Sequence, residues 1–260
     1  MIGVSQPTVS RTVKRVMDGF IQLLPNYIRP PTPREVVEQK ILFSGKAGFP
    51  GVFACVDGTH VKILRPSEDE DVYVNRKNFH SINVQIVCDA NLLILDCVAR
   101  HPGSFLDARV LRESEFFAGM EQRPPVVDGL VLGDSGYPVR TWLMTPFGQP
   151  VGNQQMNFNN SHRQTRVTVE RCIGVLKRRW HCLHTELRLT PAVASRVIYC
   201  CCLLHNKATS LGLDLNPLAD LPADEEPPAA PAQVRNEGNT ERARTAAGKA
   251  LRLQIARANF

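Results

Sequence analysis

No apolar run in this chain is long enough to cross a bilayer, and its first residues carry no signal-peptide pattern. Both absences argue against a membrane protein. The eight cysteines, Cys55, Cys88, Cys97, Cys172, Cys182, Cys200, Cys201 and Cys202, include no C-x-x-C pair, and several lie inside apolar runs. That argues against a disulfide framework and predicts buried, reduced thiols of an intracellular protein. Cys201 and His205 stand one helical turn apart, a spacing zinc accepts, but no second ligand pair exists, so that segment reads as core. The Asp57-Gly58-Thr59 step is not part of a D-x-D nucleophile pattern, which weakens the phosphoryl-transfer reading it would invite. Internal repeats are also absent.

What is present is enough for one large domain with a core and a small appendage: 260 residues, 43% hydrophobic. The net charge of +6 is compatible with a polyanionic partner such as DNA.

The first residues read G-V-S-Q-P-T-V-S-R-T-V-K-R-V. Ser5 suits an N-cap, Pro7 the first helical turn, and Val9, Val13 and Val16 recur at helical spacing. Two readings fit. One is an amphipathic helix packed on the main domain. The other is the turn and second helix of a helix-turn-helix unit, with Ser5, Gln6, Thr8 and Ser10 at groove-contact positions and the first helix missing. The pattern then predicts strands at 52–56, 61–64, 83–89, 92–99 and 130–132, and a helix over 104–117 with Ser104 as N-cap and Asp107 at N3. A polar, Asn-rich loop is predicted for 152–161, followed by helices over 162–180 and from Pro191 to His205. Residues 216–232 are rich in Pro, Ala and acids and read as a disordered linker. Residues 241–260 read as a solvated basic tail, or as a docking or nuclear-import helix.

Three carboxylates occupy special places: Asp57 in A-C-V-D-G-T-H, Asp134 in L-V-L-G-D-S-G-Y, and Glu170 inside the long helix. If the strands carrying Asp57 and Asp134 are adjacent and parallel, both acids meet at the strand carboxyl ends, where α/β sheets bind ligands. Converging carboxylates repel unless they hold a cation, and Mg²⁺ or Mn²⁺ prefers oxygen ligands. Asp107 fits either a helix N-terminal acid or a further metal ligand. Arg76 and Lys77 precede a strand and can meet phosphates. Arg163 and Arg166 lie on the Glu170 side of the helix, with Lys177 beyond it. Arg166 can pair with Glu170 or hold a scissile phosphate.

Six segments occur in order: V-D-G-T-H-V-K-I, Y-V-N-R-K-N-F-H-S-I-N-V-Q-I-V-C-D, H-P-G-S-F-L-D-A-R-V, L-G-D-S-G-Y-P-V-R-T-W-L-M-T-P, V-E-R-C-I-G-V-L-K-R-R-W and C-C-L-L-H-N. Over about residues 1–210 the chain thereby resembles the Harbinger (PIF/Harbinger) transposase-derived nuclease family. The resemblance implies an α/β, RNase H-like catalytic domain with a mixed sheet flanked by helices. It implies divalent-metal-dependent hydrolysis of DNA phosphodiester bonds by Asp57, Asp134 and Glu170, with Asp107 as an extra metal ligand, and no autonomous transposition. It also implies a separate Myb-like DNA-binding partner and a nuclear, secondarily cytoplasmic, location. The expected layout is a partial helix-turn-helix and connecting helices at 1–50, the nuclease domain at 51–210, and a linker with a disordered basic tail at 211–260. A catalytically silent DNA- or protein-binding module of transposase origin is the competing reading. Clustered acids facing DNA would serve it poorly.

Overall fold

The structure, a computed structural model, describes residues 3–122, 124–213 and 239–260. The helix α1 (Gln6–Tyr27) starts after Ser5 as expected. A Thr32–Glu35 capping box, Pro33 in the first turn and a left-handed Gly48 then delimit α2 (Pro33–Ala47). The strand β1 (Val52–Lys62) follows, then the short α3 (Glu70–Tyr73), β2 (Ser81–Cys88), β3 (Ile94–Pro102), α4 (Asp107–Arg112) and α5 (Glu115–Met120). The second part of the domain runs β4 (Leu130–Leu132), β5 (Leu143–Met144), α6 (Gly152–Arg179) and α7 (Pro191–Ser210), with α8 (Asn239–Asn259) after the undescribed stretch.

The strands form one mixed sheet in the order β3-β2-β1-β4-β5. The pairs β1–β2 and β2–β3 are antiparallel, whereas β1–β4 and β4–β5 are parallel. Apolar residues cover both faces. One face packs Cys55, Val61, Val84 and Ile86 against Val169, Cys172 and Leu176 of α6 and Ile198 and Cys202 of α7. The other packs Phe53, Val56 and Val131 against Val36 of α2, Leu111 of α4 and Phe116 of α5. This is the mixed sheet flanked by helices that the resemblance implies.

Several expectations need correction. The predicted strands at 52–56 and 61–64 are one strand, because Asp57 to His60 keep their pairing with β2. The helix predicted over 104–117 is two, since the hydroxyl of Ser114 caps α5 by accepting from the Phe117 N–H. Leu106, not Ser104, precedes α4, so Asp107 is its first residue. The Asn-rich stretch at 152–161 is the start of α6. Asn159 there donates to the Phe147 carbonyl and accepts from its N–H, a tertiary contact that composition does not reveal.

At each end of the chain the structure matches one of the two readings: α1 packs on the main domain and α8 docks on it. The described residues show no helix-turn-helix: α1 is one 22-residue helix. Its second half lies on α7, with Met17 buried, Asp18 paired to Arg196 and the Tyr27 carbonyl accepting from Asn206 at 2.8 Å. The basic tail is not solvated. Helix α8 docks on the domain, with Ala256 fully buried and the Phe260 ring tilted against Phe49 and edge-on to Phe158. The linker expected at 216–232 lies outside the described residues. All eight cysteines are free thiols, with Cys182 exposed and Cys97 half-buried. Among the described residues no helix is long and apolar enough to cross a membrane.

Candidate active site

Asp57 stands within β1, on the face shared by Cys55 and Val61 that looks toward α6. Leu132 of β4 pairs with Cys55, so the parallel pairing brings the end of β4 alongside β1 just before Asp57, and the charge of Asp134 is felt at Asp57. Asp134 itself lies past the end of β4 in a tight turn, where its Oδ1 accepts from the Gly136 N–H at 2.9 Å. Gly133 serves packing rather than a sharp turn. A Cβ there would come within 2.9 Å of the Tyr137 ring.

Asp107 reaches the same region from the start of α4. The Asn83 side-chain amide on β2 donates to its Oδ1 at 2.9 Å and to the Phe105 carbonyl at 2.8 Å, which fixes the chain as it enters α4. Gly58 makes the room. A Cβ on that residue would overlap the Asp107 carboxylate. Glu170 sits on α6 with its side chain half exposed, beside the apolar stripe of Val169 and Ile173.

Between these acids lies Arg166. Its Nη2 is 2.8 Å from Asp57 Oδ2, and its Nη1 is 3.6 Å from Glu170 Oε1. The guanidinium is buried, and its Nε has no hydrogen-bond partner among the described residues. Burial, the largest influence, pushes Asp57 up to about 7; Arg166 pulls it back, and Asp134, Asp107 and Glu170 each add to the rise. Tyr137 is pushed well above its ordinary value, first by burial and then by Asp107, Asp57 and Asp134. Its hydroxyl is buried without a hydrogen-bond partner among the described residues. The four acids therefore share one electrostatic neighbourhood while arriving from four separate elements.

Three of the predicted basic residues gather nearby. Arg76 and Lys77 sit in a turn closed by Asn75, whose Oδ1 accepts from the Lys77 N–H at 2.9 Å. Lys177 of α6 donates to the His60 carbonyl at 3.3 Å. Burial first, then Arg76, Lys177 and Lys77, drives His60 down to about 4, while its Nδ1 meets Ser81 Oγ at 3.0 Å. This basic group lies three residues along β1 from Asp57, about 10 Å at ordinary strand rise. Arg163 is exposed on α6 and stands apart from the ion pairs that hold the acids. Arg179 is structural: it donates to the His205 and Leu213 carbonyls and joins the ends of α6 and α7.

Among the described residues, no three His, Cys, Asp or Glu side chains are drawn tightly enough together to hold an ion. In donor chemistry and charge the four carboxylates nonetheless suit a hard divalent cation. Their mutual repulsion is felt at Asp57, and a cationic group, Arg166, already lies among them. Sequence reasoning singled out the four acids as candidates. It missed Asn83, Gly58 and Tyr137, of which only Gly58, a glycine inside a strand, left a readable signal.

A mixed sheet with helices on both faces and acids gathered beside its central strand defines an α/β domain consistent with the RNase H-like class. The chain belongs to the DDE superfamily endonuclease family, whose pattern matches residues 56–206. It is 36% identical to the human protein "Putative nuclease HARBI1" over 82% of this chain and 62% of that protein. To the protein of the same name from Xenopus laevis it is 34% identical, over the same shares. Against "Protein ALP1-like" from Arabidopsis thaliana it is 28% identical over 78% of this chain and 54% of the relative. The chain thus spans about three fifths of the length of these nuclease relatives. No solved structure matches it.

Proposed function

We propose that the protein is a transposase-derived nuclease that hydrolyses DNA phosphodiester bonds with Mg²⁺ or Mn²⁺, without autonomous transposition. What supports this reading is the chain's place in the DDE superfamily endonuclease family, together with the Arg166 bridge between Asp57 and Glu170. Asp57, Asp134 and Glu170 would hold the metal, with Asp107 as a further ligand. A bound divalent ion supplies charge neutralisation at the phosphate and makes water easier to deprotonate. The chain's own part is to place and orient. Asn83 fixes Asp107, the turn at Gly136 fixes Asp134, and Arg166 ties Glu170 to Asp57. Arg76, Lys77 and Lys177 would take phosphates of the strand flanking the cut, and exposed Arg163 would reach the backbone from α6. A separate Myb-like DNA-binding protein would bring the enzyme to its target, and the work would be done in the nucleus.

The test is cleavage of a labelled duplex DNA pool in Mg²⁺ or Mn²⁺ by the wild type and by Asp134→Ala. Metal-dependent cutting by the wild type, lost in the variant, is the expected outcome. Absence of cutting by the wild type, even with a candidate partner added, would sink the nuclease reading and leave a binding module.

A further inference from the structure

One buried group in the acid cluster is not an acid. Arg166 projects from α6 into the space between β1 and its own helix, and its side chain is only 12% exposed. A buried guanidinium normally exhausts its five donors. This one spends Nη2 on Asp57 and Nη1, more loosely, on Glu170, and leaves Nε unsatisfied. It thereby bridges two of the carboxylates proposed to hold the metal. An arginine serving α6 alone would need only the i, i+4 contact to Glu170 and could lie in solvent.

We propose that Arg166 is the counter-ion of the metal-free site, a positioning residue that holds Asp57 and Glu170 together and yields its place when a divalent cation enters. This rests on the metal-dependent reading above. Two charges cannot share one set of donors without repulsion, so the guanidinium and a cation compete. The site is thereby kept folded without metal, and its affinity for metal is set lower than four carboxylates would otherwise give. Once displaced, the planar fork lies beside the metal-binding acids, where it can turn to a phosphate oxygen.

The competition is read by titrating Mn²⁺ against thermal unfolding of the full chain, comparing the wild type with Arg166→Met. The variant should unfold at a lower temperature without metal, because Asp57 loses its ion pair with Arg166. It should reach half of its metal-induced shift at a Mn²⁺ concentration about ten- to a hundredfold lower than the wild type. Arg166→Lys, which keeps the charge but cannot fork between two carboxylates, should lie between them. It also serves if the methionine variant fails to fold. Asp134→Asn should remove the Mn²⁺ response in both backgrounds. A midpoint that is unchanged or raised in the Arg166 variants, with the Asp134-dependent response intact, would overturn the counter-ion role and leave the metal site standing. No Asp134-dependent response in any of these proteins would overturn the metal reading, and the counter-ion role with it.

Discussion

At the scale of single residues, the site depends on an atom that is missing. Glycine inside a strand ordinarily weakens it, and alanine would be the better strand residue on propensity alone. At position 58 the balance reverses, because the added methyl would overlap the Asp107 carboxylate. Asp107 is pinned by Asn83, so it cannot retreat without breaking that bond. Gly58→Ala should therefore cost about 1–3 kcal/mol of stability, the usual range for overpacking. It should also reduce metal-dependent cleavage more than its modest fall in melting temperature explains. Cleavage equal to wild type would show that Asp107 is not needed where it stands. The acids were legible in the sequence because Asp57 and Asp134 each sit against a glycine at a strand, and a carboxylate there needs a reason. The partner of Asp57 was not legible. Arg166 has a ready explanation in Glu170, four residues on, and no local pattern shows that its other amine crosses to β1.

At the scale of elements, the C-terminal helix shows why composition misleads. Arg140 is almost wholly buried and forms ion pairs with Glu121 and Glu241, while Arg244 meets Glu121 at 2.7 Å. Arg252 lies 4.2 Å over the Phe147 ring and donates to the Pro146 carbonyl at 2.9 Å. Arg244 and Arg252, which read as part of a solvated basic face, are thus committed to internal contacts. The fourfold spacing of Ala243, Ala247, Leu251 and Ile255 did announce a helix, but the acids that receive its arginines lie partly in distant segments, where no local window can find them. Docking depends on Gly248, where a Cβ would come within 2.7–2.9 Å of the Arg140 backbone. Gly248→Val should lift α8 off the domain and lower the melting temperature. Trypsin should then cut at Arg252 and Lys249 well before it cuts the remaining domain. A variant as stable and as protease-resistant as the wild type would mean that α8 is not held by this contact. The Asn-rich start of α6 fails the same kind of reading for the same reason, since Asn159 answers to Phe147 rather than to its neighbours in sequence.

At the scale of the whole molecule, β1 and β4 are adjacent and parallel, the arrangement on which the expected approach of Asp57 and Asp134 depends. The distribution of positive charge was less legible, because the total of +6 does not say where the charge acts. Arg244 and Arg252 of α8 drop out, as does Arg179, since their charges are spent on internal contacts. Near the acids stands the group of Arg76, Lys77 and Lys177 around His60, set along β1 from Asp57. An acidic centre flanked by cations suits a polyanion whose scissile phosphate is drawn to metal while its neighbours are held by side chains. If these three cations each neutralise a phosphate, the affinity for duplex DNA should fall with salt along a line whose slope counts them. Changing all three to Gln should make that slope shallower by about 3 and weaken binding alike across DNA sequences. Fluorescence anisotropy of a labelled duplex, read over a range of salt concentrations, would show it. The acids should not enter that slope, so Asp134→Ala should leave it unchanged while abolishing cleavage. An unaltered slope in the triple variant would move the DNA path off this rim, toward exposed Arg163 and the basic first half of α1.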